Sequence, residues 1–212
     1  LLMMFGGLGG SCAPVYAKGL CMLPALEIFI ADFRALYSKN IDDVERFKQG
    51  RPLLETLLAD PDLKNCARKW PARNDPARGH YENLLFYEDS DYGFVLNALI
   101  KDPGESTPIH DHGEVLTVYG VLVGGETVMR YRRVDDGAGK DGAPGSDSGI
   151  ELQLVGNHQV TPGYIDFVPP GEIHVEHNGP NRTIGLIFRN GNVGAKLQSW
   201  YDKESGMRLR RY

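Results

Sequence analysis

Cysteine is scarce in this chain of 212 residues: Cys12, Cys21 and Cys66 are an odd number, with neither a Cys-x-x-Cys pair nor zinc-ribbon spacing. A disulfide framework is therefore not expected, and a reducing compartment, the cytoplasm, fits better. Basic residues are outnumbered, 23 Lys and Arg against 28 Asp and Glu for a formal net charge of -5. The surface has no basic footprint for a phosphate backbone, so nucleic acid is not an expected partner. No run of 18 apolar residues occurs, so no membrane span is expected. The apolar segment Leu1 to Tyr16 resembles the end of a signal-peptide core, with Val15-Tyr16-Ala17 as a weak cleavage pattern, but no basic region precedes it.

Gly and Pro, by contrast, are abundant. The 26 Gly and 13 Pro make about 18% of the chain, where roughly 12% is usual. They are unevenly spread. Up to residue 80 the pattern is helical: Leu26, Ile28, Phe29, Phe33, Leu36 and Tyr37 recur at helical spacing between Leu23 and Ser38. A second helix is expected from Ile41, stopped by Gly50; a third from Leu53 to Ala59 after Pro52; and a short one through Cys66. Beyond Tyr81 the period changes. Short β-rich runs at 92–100, 116–122, 126–132, 150–155, 164–168 and 184–188 are bounded by Gly, Pro or Asn. The clearest alternation directs Ile150, Leu152 and Leu154 to one side. Residues 135–149, polar and Gly-rich, read as a flexible hairpin tip. The expected organisation is one structural domain, an all-β core with N-terminal helices: 1–80 the N-terminal segment and helices, 81–212 a barrel or sandwich.

Chemistry concentrates in the histidines. His110 and His112, two apart, share a face if extended, so both imidazoles can meet one ion. His174 and His177, three apart, face opposite sides of a strand, so only one should join them. His80 and His158 read as ordinary surface or core histidines. Around these residues Gly104, His110, His112 and Gly120 match the first motif of the cupin family, and Gly163, Pro169, Gly171, His174 and Asn178 match its second. The chain thus resembles a cupin, which implies a double-stranded β-helix, a jelly-roll barrel, with a metal inside. The family's usual carboxylate ligand is missing: its positions hold Leu116 and Thr117, and Glu114 is wrongly spaced. Three neutral imidazoles, His110, His112 and His174, would leave a divalent ion its full charge and favour an anionic substrate such as a thiolate.

Within cupins, Tyr81-Glu82-Asn83-Leu84-Leu85 and Pro108-Ile109-His110-Asp111-His112-Gly113 are similar to the thiol dioxygenases, meaning cysteine dioxygenase and 3-mercaptopropionate dioxygenase. That resemblance implies a mononuclear non-haem Fe(II) oxidoreductase, taking a small thiol and O2 to a sulfinate. It also implies a pocket role for Tyr81. Two departures stand out. Glu82 and Asn83 occupy the neighbourhood of the family's Arg or Gln substrate anchor. Gly185, Ile187 and Arg189 replace its Ser-x-His-x-Tyr triad, while Thr117 and Arg189 stand near its Cys-Tyr crosslink. If Gly185, Ile187 and Arg189 line the pocket, Arg189 offers a two-pronged clamp for an anion; otherwise it belongs to a surface ion pair. Arg130, Arg132 and Arg133 read as a solvated cluster paired with Asp135 and Asp136. Zn, Mn or Ni at the same histidines with a non-thiol anionic substrate, or a ligand-binding cupin without catalysis, remain open, as does monomer or homodimer.

Overall fold

The computed structural model describes residues 23–70, 74–75, 80–81, 84–134 and 145–212, with side chains described from 23 to 70 and again from 84 onward outside 135–144. Helix α1 (Pro24–Ala35) begins on a proline, whose missing N–H would be unpaired there in any case. It buries Leu26, Phe29, Ile30 and Phe33, one stripe at helical spacing, and ends in a 3-10 turn, Leu36–Ser38. Helix α2 (Asp43–Ala59) is capped by Asp42, whose side chain accepts from Glu45 N at 2.8 Å. Helix α3 (Pro61–Ala67) is capped likewise by Asp60.

The break expected at Gly50 does not occur. Gly50 lies buried inside α2, and a Cβ there would come within 2.8 Å of the Phe33 ring. The glycine permits α1 and α2 to close on each other; it does not end a helix. Pro52 also sits within α2, at a cost of about 3 kcal/mol for an interior proline. Burial of Leu54, Leu57 and Leu58 just beyond it offsets that cost, at about 1.5–3 kcal/mol for each such side chain.

The strands are β1 (Asn74–Asp75), β2 (His80–Tyr81), β3 (Leu84–Glu88), β4 (Val95–Lys101), β5 (Ile109–His110), β6 (Thr117–Val123), β7 (Glu126–Arg133), β8 (Gly145–Asp147), β9 (Leu152–Val160), β10 (Ile165–Val168), β11 (Ile173–Asn178), β12 (Thr183–Arg189), β13 (Gln198–Asp202) and β14 (Met207–Arg211). Apart from the β1–β2 pair they form two antiparallel sheets, ordered β10-β6-β12-β4-β3 and β8-β14-β13-β5-β11-β7-β9. This is the double-stranded β-helix expected from the sequence, with helices N-terminal to it.

The five-stranded sheet is buried on both faces, so β4 and β12 are buried along their whole length. One face, including Leu96, Ala98, Leu186 and Phe188, packs on the helices, where the Phe33 and Phe188 rings meet edge to face at 4.1 Å. Residues between these, Asn97, Leu99, Ile187 and Arg189, line the barrel interior. The alternation expected of Ile150, Leu152 and Leu154 fails: Leu154 is 42% exposed. β9 is an edge strand paired only with β7, and the register slips there, with Arg130 opposite Gly156 but Tyr131 opposite Leu154. The skipped residue, Val155, is a bulge that lies beyond Leu154, so the exposure of Leu154 belongs to the strand's place at the sheet edge and not to the slip. Of the expected hairpin tip, 135–144 lies outside the described residues, whereas Gly145–Asp147 is a strand held to β14, with Asp147 paired to Arg208 and Arg210.

Candidate metal centre

His110 on β5 is the register partner of His174 on β11, so two rings stand side by side across one ladder. His112 follows on the turn after β5. Asp111 fixes that turn: its carboxylate accepts from Gly113 N at 2.9 Å, Ser199 N at 3.0 Å and the Tyr201 hydroxyl at 2.8 Å. Gly113 has φ 58°, and a Cβ there would lie 1.9 Å from the Leu197 carbonyl oxygen, so only glycine serves. Its own carbonyl accepts from Gly171 N at 2.9 Å, which ties the two His-bearing turns together.

The three rings lie 4.5 to 5.0 Å apart by centroid, and their ligand atoms all fall within 4.8 Å of one another. Carbonyl partners settle two tautomers. His110 Nδ1 lies 2.9 Å from Pro108 O and His174 Nδ1 3.0 Å from Glu172 O; carbonyls only accept, so both Nδ1 atoms carry hydrogen and both Nε2 atoms bear lone pairs. Burial, reinforced by the neighbouring His174, pushes His110 down to about 4. Burial, with Arg189 and the other two rings, holds His112 well below its usual value. His110 and His112 are thus both pushed toward the neutral form, the ligating one.

His110 Nε2 and His112 Nε2 are 3.2 Å apart. Nitrogens 2.0–2.1 Å from a shared divalent ion at 90–109° are about 2.8–3.4 Å apart, so this pair is already spaced to share a metal. Beyond the ligands, the Thr117 hydroxyl lies 3.0 Å from His112 Nδ1 and accepts from Arg189 Nε at 3.2 Å. Each histidine therefore has a partner that aims it, the usual way such ligands are oriented. Arg130 pairs with Asp166 and with Glu172 at 2.6 Å, steadying the turn whose carbonyl holds His174.

These rings open into a cavity of about 740 Å³. Arg189 lines it, 7% exposed, and among the described residues only Thr117 partners its guanidinium. Burial pushes Arg189 down to about 10, with Glu176 opposing, which leaves it charged at neutral pH. Glu176 also lines the cavity, with Oε1 3.8 Å from His174 Nε2 and Oε2 accepting from the Thr107 hydroxyl at 2.6 Å. Burial alone would raise its carboxyl, but Lys101, His174, His110 and Thr107 outweigh it and hold the group well below the usual range.

Of the residues singled out by sequence, the structure brings together His110, His112, His174 and Arg189; the alternative of a surface ion pair for Arg189 is thereby overturned. His177 points away and meets Ser106 Oγ at 2.8 Å. Glu114 is exposed and His158 lies exposed on β9. Glu82 and Asn83 lie outside the described residues, as do the side chain of Tyr81 and the Asp135 and Asp136 expected to pair the arginine cluster. Thr117, Asp111 and Glu176 were not anticipated in these positions. Glu176 had a signal: it stands two after His174 on a strand and must share its face. Tyr119 lines the cavity, and its hydroxyl donates to Glu126, which also pairs with the wholly buried Lys101.

No protein-family model matches the chain. Among solved structures it is similar to oxalate oxidase in complex with the substrate analogue glycolate, at 22% identity over 48% of this chain and 44% of that one, TM-score 0.36. A Klebsiella pneumoniae subsp. pneumoniae protein with a double-stranded β-helix domain aligns at 18% identity over 62% and 91%, TM-score 0.40. The capsular polysaccharide assembling protein CapF of Staphylococcus aureus aligns at 15% over 92% and 50%, TM-score 0.42. The chain spans about half the length of the oxalate oxidase and CapF chains. None of these likenesses assigns it an activity.

Proposed function

We propose that the chain is a mononuclear non-haem iron dioxygenase that oxidises a small thiol, cysteine-like or 3-mercaptopropionate-like, to its sulfinate. The supporting observation is the convergence of the His110, His112 and His174 ligand atoms in a cavity that also holds the scarcely partnered Arg189 guanidinium. The overall change balances without a further reductant: R–SH and O2 give R–SO2H, both oxygen atoms bond to sulfur, and sulfur yields the four electrons that O2 accepts. When bound, Fe(II) supplies open positions for sulfur and O2 and stabilises the thiolate. The chain's own groups do the rest. Arg189 fixes the far, anionic end of the substrate, and Thr117 holds Arg189 in place. Val95, Leu99, Val168 and Ile187 wall the cavity with apolar surface and limit water.

A second reading keeps the histidines but assigns Zn, Mn or Ni and a non-thiol anionic substrate. Gly185 and Ile187 favour it, because neither provides the hydroxyl or imidazole found at the thiol dioxygenase positions. Metal analysis with O2 uptake across cysteine, 3-mercaptopropionate, cysteamine and mercaptosuccinate separates the two. Iron with thiol-dependent O2 consumption supports the first; zinc without consumption overturns it. A metal-free protein that binds a small ligand tightly would make the chain a non-catalytic binding protein. In the same assay His110→Ala should abolish stoichiometric metal, and His177→Ala should retain it.

A further inference from the structure

Glu176 is the one carboxylate among the described residues that line the cavity. Its side chain is nine-tenths buried, and its two oxygens are used unequally. Oε2 is held by the Thr107 hydroxyl, whose oxygen in turn accepts from Glu176 N at 3.0 Å, so the carboxylate is locked in orientation. Oε1 has no hydrogen-bond donor among the described residues; the nearest ring nitrogen, His174 Nε2 at 3.8 Å, is a lone-pair atom once Nδ1 carries the hydrogen, and Lys101 acts on the carboxylate only through space. With neither oxygen of Glu176 joining the close cluster of three histidines, it is not placed as a fourth ligand. One carboxylate oxygen thus faces the cavity beside the metal position with no donor of its own, so a ligand that brings a donor gains a hydrogen bond there.

Resting on the thiol reading above, we propose that Glu176 determines specificity by receiving an ammonium group of the substrate, so that the class bound is a small thiol bearing an amine. Arg189 and Glu176 then offer opposite charges within one cavity. An aminothiol acid uses both, cysteamine uses Glu176 alone, and 3-mercaptopropionate uses Arg189 alone while leaving Glu176 unpaired. The same charge repels a second carboxylate near the ion, and this disfavours mercaptosuccinate.

The test is thiol binding to Co(II)-loaded protein, read from the thiolate-to-cobalt charge-transfer band, so no turnover is needed. Wild type should bind cysteine at least tenfold more tightly than 3-mercaptopropionate. Glu176→Gln, which keeps an acceptor for Thr107, should weaken cysteine and cysteamine at least tenfold, about 1.4 kcal/mol, and leave 3-mercaptopropionate unchanged or tighter. Arg189→Met should weaken cysteine and 3-mercaptopropionate and spare cysteamine. Equal effects of Glu176→Gln on all three thiols, or none, overturn the proposal while leaving the thiol reading intact. No band with any thiol in wild type overturns the thiol reading itself. Should the Gln variant fail to fold, the wild-type ranking decides: 3-mercaptopropionate binding as tightly as cysteine overturns the proposal.

Discussion

Thr117 and Arg189 are register partners on β6 and β12, and the Thr117 hydroxyl oxygen joins Arg189 Nε, at 3.2 Å, to His112 Nδ1, at 3.0 Å. One hydroxyl thus couples the Arg189 guanidinium to a metal ligand. When His112 Nε2 faces the ion its Nδ1 must carry hydrogen, and Thr117 then accepts from both sides. Thr117→Val keeps the shape and removes the acceptor. Metal affinity should fall about 10–100-fold, the range for such outer partners, and anion binding at Arg189 should weaken with it. Isothermal titration with Zn(II), then with a carboxylate ligand, measures both. Unchanged metal affinity would show that Thr117 does not aim His112.

Asp111 offers a second test, because its three acceptor contacts hold the turn between His110 and His112 to β13. Asp111→Ala strands two backbone amides and the Tyr201 hydroxyl, at about 1–3 kcal/mol for each group left buried and unpaired. Denaturant unfolding should register the loss, and metal stoichiometry should drop although no ligand was removed. Retention of full stoichiometry with the stability loss would separate the turn's structural role from the positioning of the rings.

The three histidines were readable in the sequence because two signals agreed: spacing of two put His110 and His112 on one side, and fixed Gly and Pro offsets marked the turn before His174. Glu176 obeys the same spacing rule, two residues after His174 on β11, but no Gly or Pro offset marks it and it lies far in sequence from the carboxylate position of the cupin motif near Leu116. Gly50 misled for a different reason. Whether a glycine ends a helix or lets another element approach depends on a residue distant in sequence, here Phe33, and local pattern carries no record of that contact. Leu154 failed similarly, because β9 lies at the edge of its sheet, where that side chain is left exposed, and local composition does not record the edge. The buried face of β4 shows the reverse case: Asn97 and Lys101 look like surface positions until the barrel interior is seen to be polar.

Acid stability should depend on Asp89. Its carboxylate accepts from Tyr92 N at 2.8 Å, Asp91 N at 2.9 Å, the Tyr87 hydroxyl at 2.8 Å and the Arg34 guanidinium. Burial alone would raise this carboxyl, but those donors outweigh it and hold it below the usual carboxylate value. A group depressed in the folded state contributes its full stability above the unfolded value, about 3.9, and loses it as pH falls through the lower folded value. Asp89→Asn should therefore be less stable than wild type at neutral pH, and the difference should shrink as pH drops below about 4. Urea unfolding at a series of pH values checks this; a gap independent of pH would contradict it.

Gly185, which the sequence resemblance sets at the thiol dioxygenases' serine position, has a structural reason to be bare, the Tyr119 ring. A Cβ at Gly185 would lie 2.0 Å from Tyr119 Cε2, and the ring cannot step aside freely. Its hydroxyl is committed to Glu126, which pairs with Lys101, and both of those side chains are fully buried. Moving the ring would take a donor from the buried Glu126 carboxylate, at about 1.5–3 kcal/mol for a hydrogen bond to a charged group. Gly185→Ala and Gly185→Ser should both destabilise the fold by at least about 1–3 kcal/mol, the usual penalty for overpacking, because the clash begins at Cβ and the hydroxyl is irrelevant to it. Trimming the ring in Gly185→Ser/Tyr119→Ala should recover none of the lost Glu126 contact but should remove the clash, so the two substitutions should be clearly non-additive in urea unfolding. Strict additivity, or a Gly185→Ala variant as stable as wild type, would mean that the bare position has another cause than the Tyr119 ring.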